Sequence, residues 1–227
     1  MKRTFLLIAC ASALFLTACG GDSKLPNPTG KGAIRAINAI PGSPAYVFKI
    51  EERTIADMLY KESTIPVEYD DFEYNFNFDV RFPGDTDQTR VASQAFKVEA
   101  DRDHTFLLSG DLNAPTITVW SGDVREFTDA ETVFETRFSH ASESLGDIDV
   151  YFDLAGTVLG TNPPVATLAF GEISDAFEYS EEEYVLTITP ANDLVSVSYT
   201  HLRAHETSRA ISYAVFCLKM GGGGGGG

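Results

Sequence analysis

Residues 72–82 constrain the fold more than any other stretch. They read Phe72-Glu73-Tyr74-Asn75-Phe76-Asn77-Phe78-Asp79-Val80-Arg81-Phe82, six apolar side chains alternating without a break with five polar ones. Successive side chains of a β-strand point to opposite faces, so this period defines a strand with one buried and one wet face. Shorter runs rich in β-branched and aromatic residues recur at 33–40, 45–51, 91–98, 104–109 and 116–120. Pro-Gly-Ser-Pro at 41–44, Pro-Gly-Asp at 83–85 and Asn-Ala-Pro at 113–115 punctuate them, as turn residues do between strands. Short strands, frequent turns and no long helical period predict an all-β antiparallel sandwich. Residues 54–62 fit one short helix or a further strand.

The chain also repeats itself. Ile34-Arg35-Ala36-Ile37-Asn38-Ala39 is echoed by Thr136-Arg137-Phe138-Ser139-His140-Ala141. Each is followed by a turn-prone stretch and a strand, 45–50 in one copy and 147–153 in the other. In the second strand Ile148, Val150 and Phe152 share one face, while Asp147, Asp149 and Tyr151 share the other. Two modules follow from this, 33–123 and 133–196, joined by an acidic linker at 124–132.

The amino terminus carries a different signal. Lys2 and Arg3 precede an apolar run from Phe5 to Leu16, which fits the core of a secretory signal and is short for a bilayer span. The run closes on Leu16-Thr17-Ala18-Cys19, followed by Gly20-Gly21-Asp22. This resembles the lipobox of bacterial lipoproteins. The resemblance implies a signal peptide at 1–18, and a thioether-linked diacylglycerol and an acylated amino terminus on Cys19. Several acyl chains anchor stably, each buried CH₂ contributing ~0.8 kcal/mol. Gly20 after the cysteine implies sorting to the outer membrane. Residues 19–32 comprise the lipidated cysteine and a Pro/Gly-rich tether.

At the other end, residues 197–227 resemble the in-frame translation of a sequencing-library adapter, with VSYTHLRAHET and ISYAVFCL as its landmarks and seven glycines as the terminal run. We therefore set this segment aside, as one does a cloning scar. Without 1–18 and 197–227, five of the 17 basic and one of the 33 acidic side chains are lost, leaving 12 against 32 and a net charge of −20. That balance argues against nucleic acid, whose phosphates are bound by Lys and Arg. Cys10 and Cys217 go with the removed ends. Cys19 alone remains, so no internal disulfide forms and stability rests on the core.

The second copy carries a more specific pattern. A strand ending in His140-Ala141-Ser142 precedes Asp147-Ile148-Asp149-Val150-Tyr151, then Leu168-Ala169-Phe170-Gly171-Glu172-Ile173-Ser174, then a strand reading Tyr184-Val185-Leu186-Thr187-Ile188-Thr189-Pro190. Residues 136–193 thus resemble the domain-of-unknown-function 4397 family of bacterial surface proteins. The first copy resembles it more loosely, with Asn38 in place of the histidine and an apparent insertion around 63–85. The resemblance implies Ig-like sandwiches, often in tandem, exported or anchored, with no established activity. It also implies two further strands beyond Leu194, which makes the second module incomplete.

Catalytic and metal signals are weak. His140 with Asp147 and Asp149 has the residue types of a metal or acid–base site, but a histidine bonded to backbone or carboxylate at a sandwich corner is the simpler and favoured reading. The acidic strings 85–87, 99–103 and 181–183 offer oxygen ligands for Ca²⁺ without the spacing of a calcium loop. Asp70, Asp71 and Glu73 have the composition but not the separation of a glycosidase pair. No nucleophile elbow, zinc-protease motif or phosphate loop is present. Tyr46, Tyr69, Tyr151, Tyr179 and Trp120 offer an amphipathic recognition surface. The sequence therefore predicts a lipid-anchored envelope protein without catalytic residues or cofactor, serving as a binding or spacer unit. Its expected partners are the membrane and an unidentified envelope glycan or protein. A Ca²⁺-dependent module and a hydrolase using the His140 region are the alternatives.

Overall fold

The computed structural model describes residues 27–123, 128, 131–194, 198–203 and 212–216, the last two stretches as backbone. The signal segment, Cys19, most of the 124–132 linker and the terminal glycines lie outside the described residues. The described chain is all-β. In the first module, β1 (Lys31–Asn38), β4 (Val67–Asp70), β7 (Arg102–Gly110) and β8 (Pro115–Asp123) form one sheet in the order β4-β1-β7-β8. β2 (Tyr46–Ile50), β3 (Arg53–Met58), β5 (Glu73–Val80) and β6 (Thr89–Lys97) form the other, in the order β3-β2-β5-β6. Residues 53–58 are thus a strand, which resolves the ambiguity at 54–62. β1 runs antiparallel to β4 and parallel to β7.

Residues 73–80 of the alternating segment form β5; its apolar half packs as the sequence predicts, while Asn77 and Asp79 on the other face are buried as well instead of wet. Phe76, Phe78 and Val80 point inward and are fully buried. They meet Phe48 from β2 and Phe106 from β7, with the Phe76 and Phe106 rings stacked at 4.2 Å. Ile34, Ala36, Tyr46, Ile50, Met58, Val98 and Leu108 complete this core. Burial of a large apolar side chain is worth about 1.5–3 kcal/mol, so this group accounts for much of the module's cohesion.

The second module repeats the pairing. β9 (Val133–His140), β12 (Phe177–Ser180) and β15 (Ser212–Phe216) form a sheet in the order β12-β9-β15. β10 (Ile148–Leu154), β11 (Ala166–Leu168), β13 (Glu183–Pro190) and β14 (Ser198–Arg203) form the order β11-β10-β13-β14. A short 3₁₀ turn at Glu143–Leu145 links β9 to β10. Phe138, Ile148, Val150, Phe152, Leu168, Tyr184, Leu186 and Ile188 form its core. Among the described residues, β8 has no counterpart here. β14 and β15 occupy the closing positions, and both fall in the adapter-like segment.

Matching the two modules corrects one expectation. The Ile37–Ser63 bridge of the first corresponds to the Ser139–Ile173 bridge of the second. The partners are offset by 102 residues on one strand and 110 on the other, so eight extra residues sit in the second module, between β10 and β11. From the bridge to the end of β5, residues 63–80 match 173–190 without an insertion. Leu59-Tyr60-Lys61-Glu62-Ser63-Thr64 is the counterpart of Ala169-Phe170-Gly171-Glu172-Ile173-Ser174. Lys61 takes φ 71° where Gly171 takes φ 82°, and a lysine in that left-handed position disguises the motif.

The modules pack side by side. Ile37, Ala39 and Leu107 on the outer face of the first module's β1–β7 sheet cluster with Ala141 of the second, and Trp120 packs against them. A Cβ on Gly110 would meet Phe170 at 3.8 Å, and one on Gly122 would meet the Arg137 guanidinium at 3.2 Å. The second module therefore covers a face that a lone sandwich would expose to water.

Candidate functional site

The His140 corner is the strongest site candidate of the sequence, and its geometry is structural. His140 is fully buried at the end of β9. Its Nδ1 accepts the Ser142 N–H at 3.3 Å, and its Nε2–H donates to the Gly146 carbonyl at 2.7 Å. Both ring nitrogens serve the β9–β10 connection in the neutral tautomer. Asn38 fills the same slot of the first module. Its Oδ1 accepts the Ile40 N–H at 3.0 Å, and its Nδ2 donates to Ser43 Oγ and the Met58 carbonyl. Two different side chains thus satisfy the same i+2 amide and brace the same corner.

The aspartates do not join His140. Asp149 is buried, with Oδ1 accepting from the Thr167 hydroxyl at 2.5 Å and Oδ2 from the Asn192 N–H at 2.8 Å. Asp147 is exposed, and its carbonyl accepts the Ala191 N–H. Among the described residues, no group of three His, Cys, Asp or Glu side chains is placed to hold a metal ion. Asp149 and Tyr151 lie on the outward face of β10 and are buried all the same, Asp149 between Thr167 of β11 and the turn at Asn192. Asn162 reaches back to Asp153 at 2.7 Å, and Gly160 lies against Leu194.

The tyrosines form no recognition surface, which corrects that expectation. Tyr46 is fully buried and donates to the Leu112 carbonyl; burial, with Asp111 nearby, pushes its phenol up to about 12. Tyr179 packs edge-on to Phe152 at 4.7 Å, and burial, with Tyr184 and Asp153 nearby, pushes it up to about 12. Tyr69 packs against the first core, Tyr151 is buried, and Trp120 belongs to the module junction.

Two polar groupings escaped the sequence reading. On the outer face of β2, β5 and β6, Asp79 accepts from Lys49 Nζ at 2.5 Å and from Arg90 Nε at 2.9 Å. Arg90 also pairs with Glu52 at 3.1 Å. Burial alone would raise the Asp79 carboxyl, but the Arg90 and Lys49 hydrogen bonds outweigh it and hold it below the usual carboxylate range. These residues lie far apart in sequence, so only strand register assembles them. The second grouping is His104, buried on β7. Its Nε2 accepts the Glu99 N–H at 3.0 Å and its Nδ1 meets Ser121 Oγ at 2.6 Å. Burial lowers its pKa against smaller raising effects from Glu99.

The remaining acidic candidates serve turns. Asp71 binds Thr29 and Gly30 at the tether end, which keeps it from pairing with Asp70 or Glu73 across a substrate. Residues 85–87 lie on the β5–β6 connection, 99–103 run from the β6–β7 connection into β7, and 181–183 from the β12–β13 connection into β13, so the three strings sit at separate places.

The fold and these sites define a class, two Ig-like sandwiches whose described polar groups brace corners, turns and sheet faces. The chain belongs to the family of the domain of unknown function DUF4397, whose model matches residues 32–151. The match runs from β1 through the first module and ends within β10, so the first module carries most of it, contrary to the expectation that the second copy would. No curated protein matches the chain.

Proposed function

We propose that this chain is a lipid-anchored cell-envelope protein whose two sandwich modules form a non-catalytic head that binds or spaces an envelope partner. The observation that carries this reading is polarity of layout. β1 begins at Lys31, directly after the tether that follows Cys19, so the anchor side is one end of the head. The connections at 39–45, 59–66, 81–88 and 111–114 lie at the other end. Contacts of Phe170 with Gly110, and of Ala141 with Ile37 and Ala39, set the loops at 141–147 and 169–176 beside them. Side-by-side packing favours presentation of these loops over length, which supports binding ahead of spacing. Residues 197–227 we read as adapter-derived, with β14 and β15 standing in for native closing strands.

Expression of the full chain in a Gram-negative host, followed by membrane fractionation and intact mass, tests the anchor. The expected result is a detergent-extractable membrane protein carrying acyl mass on Cys19, released to the soluble fraction by Cys19→Ala. A soluble, unacylated wild type would overturn the reading.

A further inference from the structure

The chain enters the first module through a narrow mouth. The Asp71 carboxylate accepts the Thr29 N–H at 2.8 Å and the Thr29 hydroxyl at 2.5 Å, and the Gly30 N–H at 3.4 Å. The Asp71 N–H donates back to the Gly30 carbonyl, and from the other side the Asp101 N–H donates to the Lys31 carbonyl. The β6–β7 turn lies directly over this entrance. A Cβ on Gly30 would sit 2.7 Å from Ala100 Cβ, and one on Gly32 would sit 2.5 Å from the Glu99 carbonyl oxygen. Glycine is required there by close approach rather than by a special φ. Inside the mouth, β1 is central, paired in parallel with β7 from Ala33 to Asn38 and antiparallel with β4 from Lys31 to Ile34. Ile34 and Ala36 are fully buried beneath it.

We propose that this arrangement is a force lock, a strap of two turns closed over a strand that bears the load between anchor and head. The proposal rests on the reading of Cys19 as the anchor point. Tension entering at residue 28 and opposed at the far-end loops pulls β1 along its own axis. Its hydrogen bonds run across that axis, so they are loaded together rather than opened one at a time. Asp71 holds Thr29 and Gly30 just ahead of the β1–β4 ladder, and Asp101 holds Lys31 where that ladder begins. Asp71 responds to this contact: the Thr29 hydrogen bond leads the effects that lower its carboxyl, against a smaller raising effect of burial.

Single-molecule force spectroscopy on the chain starting at Cys19, with Cys217→Ser, tests it. Handles on Cys19 and on Asp85→Cys pull along β1; handles on Asp87→Cys and Asp111→Cys, with Cys19→Ser, pull the two far-end loops apart. The axial geometry is expected to rupture at about twice the force of the lateral one or more, since forced unfolding reports the unfolding barrier. Asp71→Ala is expected to speed axial unfolding about tenfold at fixed load, through loss of charge-assisted hydrogen bonds, while the lateral rate stays put. Thr29→Val, which removes one of these bonds and keeps the fold, should give a smaller acceleration of the same kind. Equal rupture forces in the two geometries, or axial rates unmoved by both variants, would overturn the lock. The measurement needs no lipid, so its failure is distinct from failure of the anchor reading in fractionation.

Discussion

Asn38 and His140 hold equivalent corners of two modules with different chemistry. Each accepts the amide two residues ahead, and each donates to a backbone carbonyl. What the fold demands at this position is a buried acceptor and a buried donor about one side chain apart. Amide and neutral imidazole both supply them. A histidine in such a slot answers a backbone requirement. The modules differ more deeply in how they cover their outer faces. The first uses the Lys49–Asp79–Arg90 grouping, whereas the second ties Asp149 to the Thr167 hydroxyl and the Asn192 N–H.

The sharpest way to break the comparison is through the cores. Phe76→Ala removes a ring stacked on Phe106 and packed among Phe48 and Phe96, and should lower stability by about 3–5 kcal/mol in denaturant titration. Phe152→Ala should act similarly on the second module, through Tyr184 at 4.7 Å and Phe138 at 5.5 Å. Two separable unfolding transitions would assign each loss to its own module. A single transition shifted by either variant would show that the Ile37–Leu107–Ala141 junction couples them.

Next in size is the corner itself. His140→Ala leaves the Ser142 amide and the Gly146 carbonyl without their partner, and should destabilise by about 1–3 kcal/mol. His140→Asn should recover most of that loss, as Asn38 does in the first module. A thermal melt in which Asn is no better than Ala would show that ring packing against Phe170, not the hydrogen-bond pair, sets the corner.

The Asp79 grouping sharpens the outer-face contrast. Asp79→Ala leaves a half-buried lysine head and an arginine without their shared carboxylate, at a cost of about 1–3 kcal/mol. Its folded carboxyl is depressed, so this contribution is full above the unfolded value near 4 and is lost as pH falls through the lower folded one. Acid titration of wild type against Asp79→Ala should therefore converge at low pH, followed by circular dichroism.

The smallest effect is on His104. Its pKa is lowered by burial, so the unfolded chain takes up a proton first on acidification. Stability is full above the unfolded value near 6.5 and falls as pH drops from there toward the folded value. Melting temperatures at pH 7.5 and 5.5 should differ less in His104→Gln than in wild type. An equal difference in both would place the pH dependence elsewhere.

Much of this fold is legible in the linear pattern because strand identity is local. The period of 72–82 reads out β5, and the echo of 34–39 in 136–141 identifies β1 and β9 as partners in design. The match between 59–64 and 169–174 stayed hidden, because backbone conformation aligns Lys61 with Gly171 while residue identity does not. The outward-face reading of Asp149 and Tyr151 was correct as geometry and misleading as exposure, since both are buried and Asp149 meets Thr167 and Asn192 only once the sheet has formed.

Local alternation, turn residues and the repeat thus determined that the chain is all-β, where its strands begin, and which side chains pair within a strand face. Only the tertiary structure decided which face is wet, which carboxylate meets which cation, and that Asp71 and Asp101 close over the entering strand. The physical reason is range. Backbone sterics and period-two patterning act between neighbours in sequence, whereas burial and hydrogen-bond partnership depend on segments that meet only after the sheets have paired.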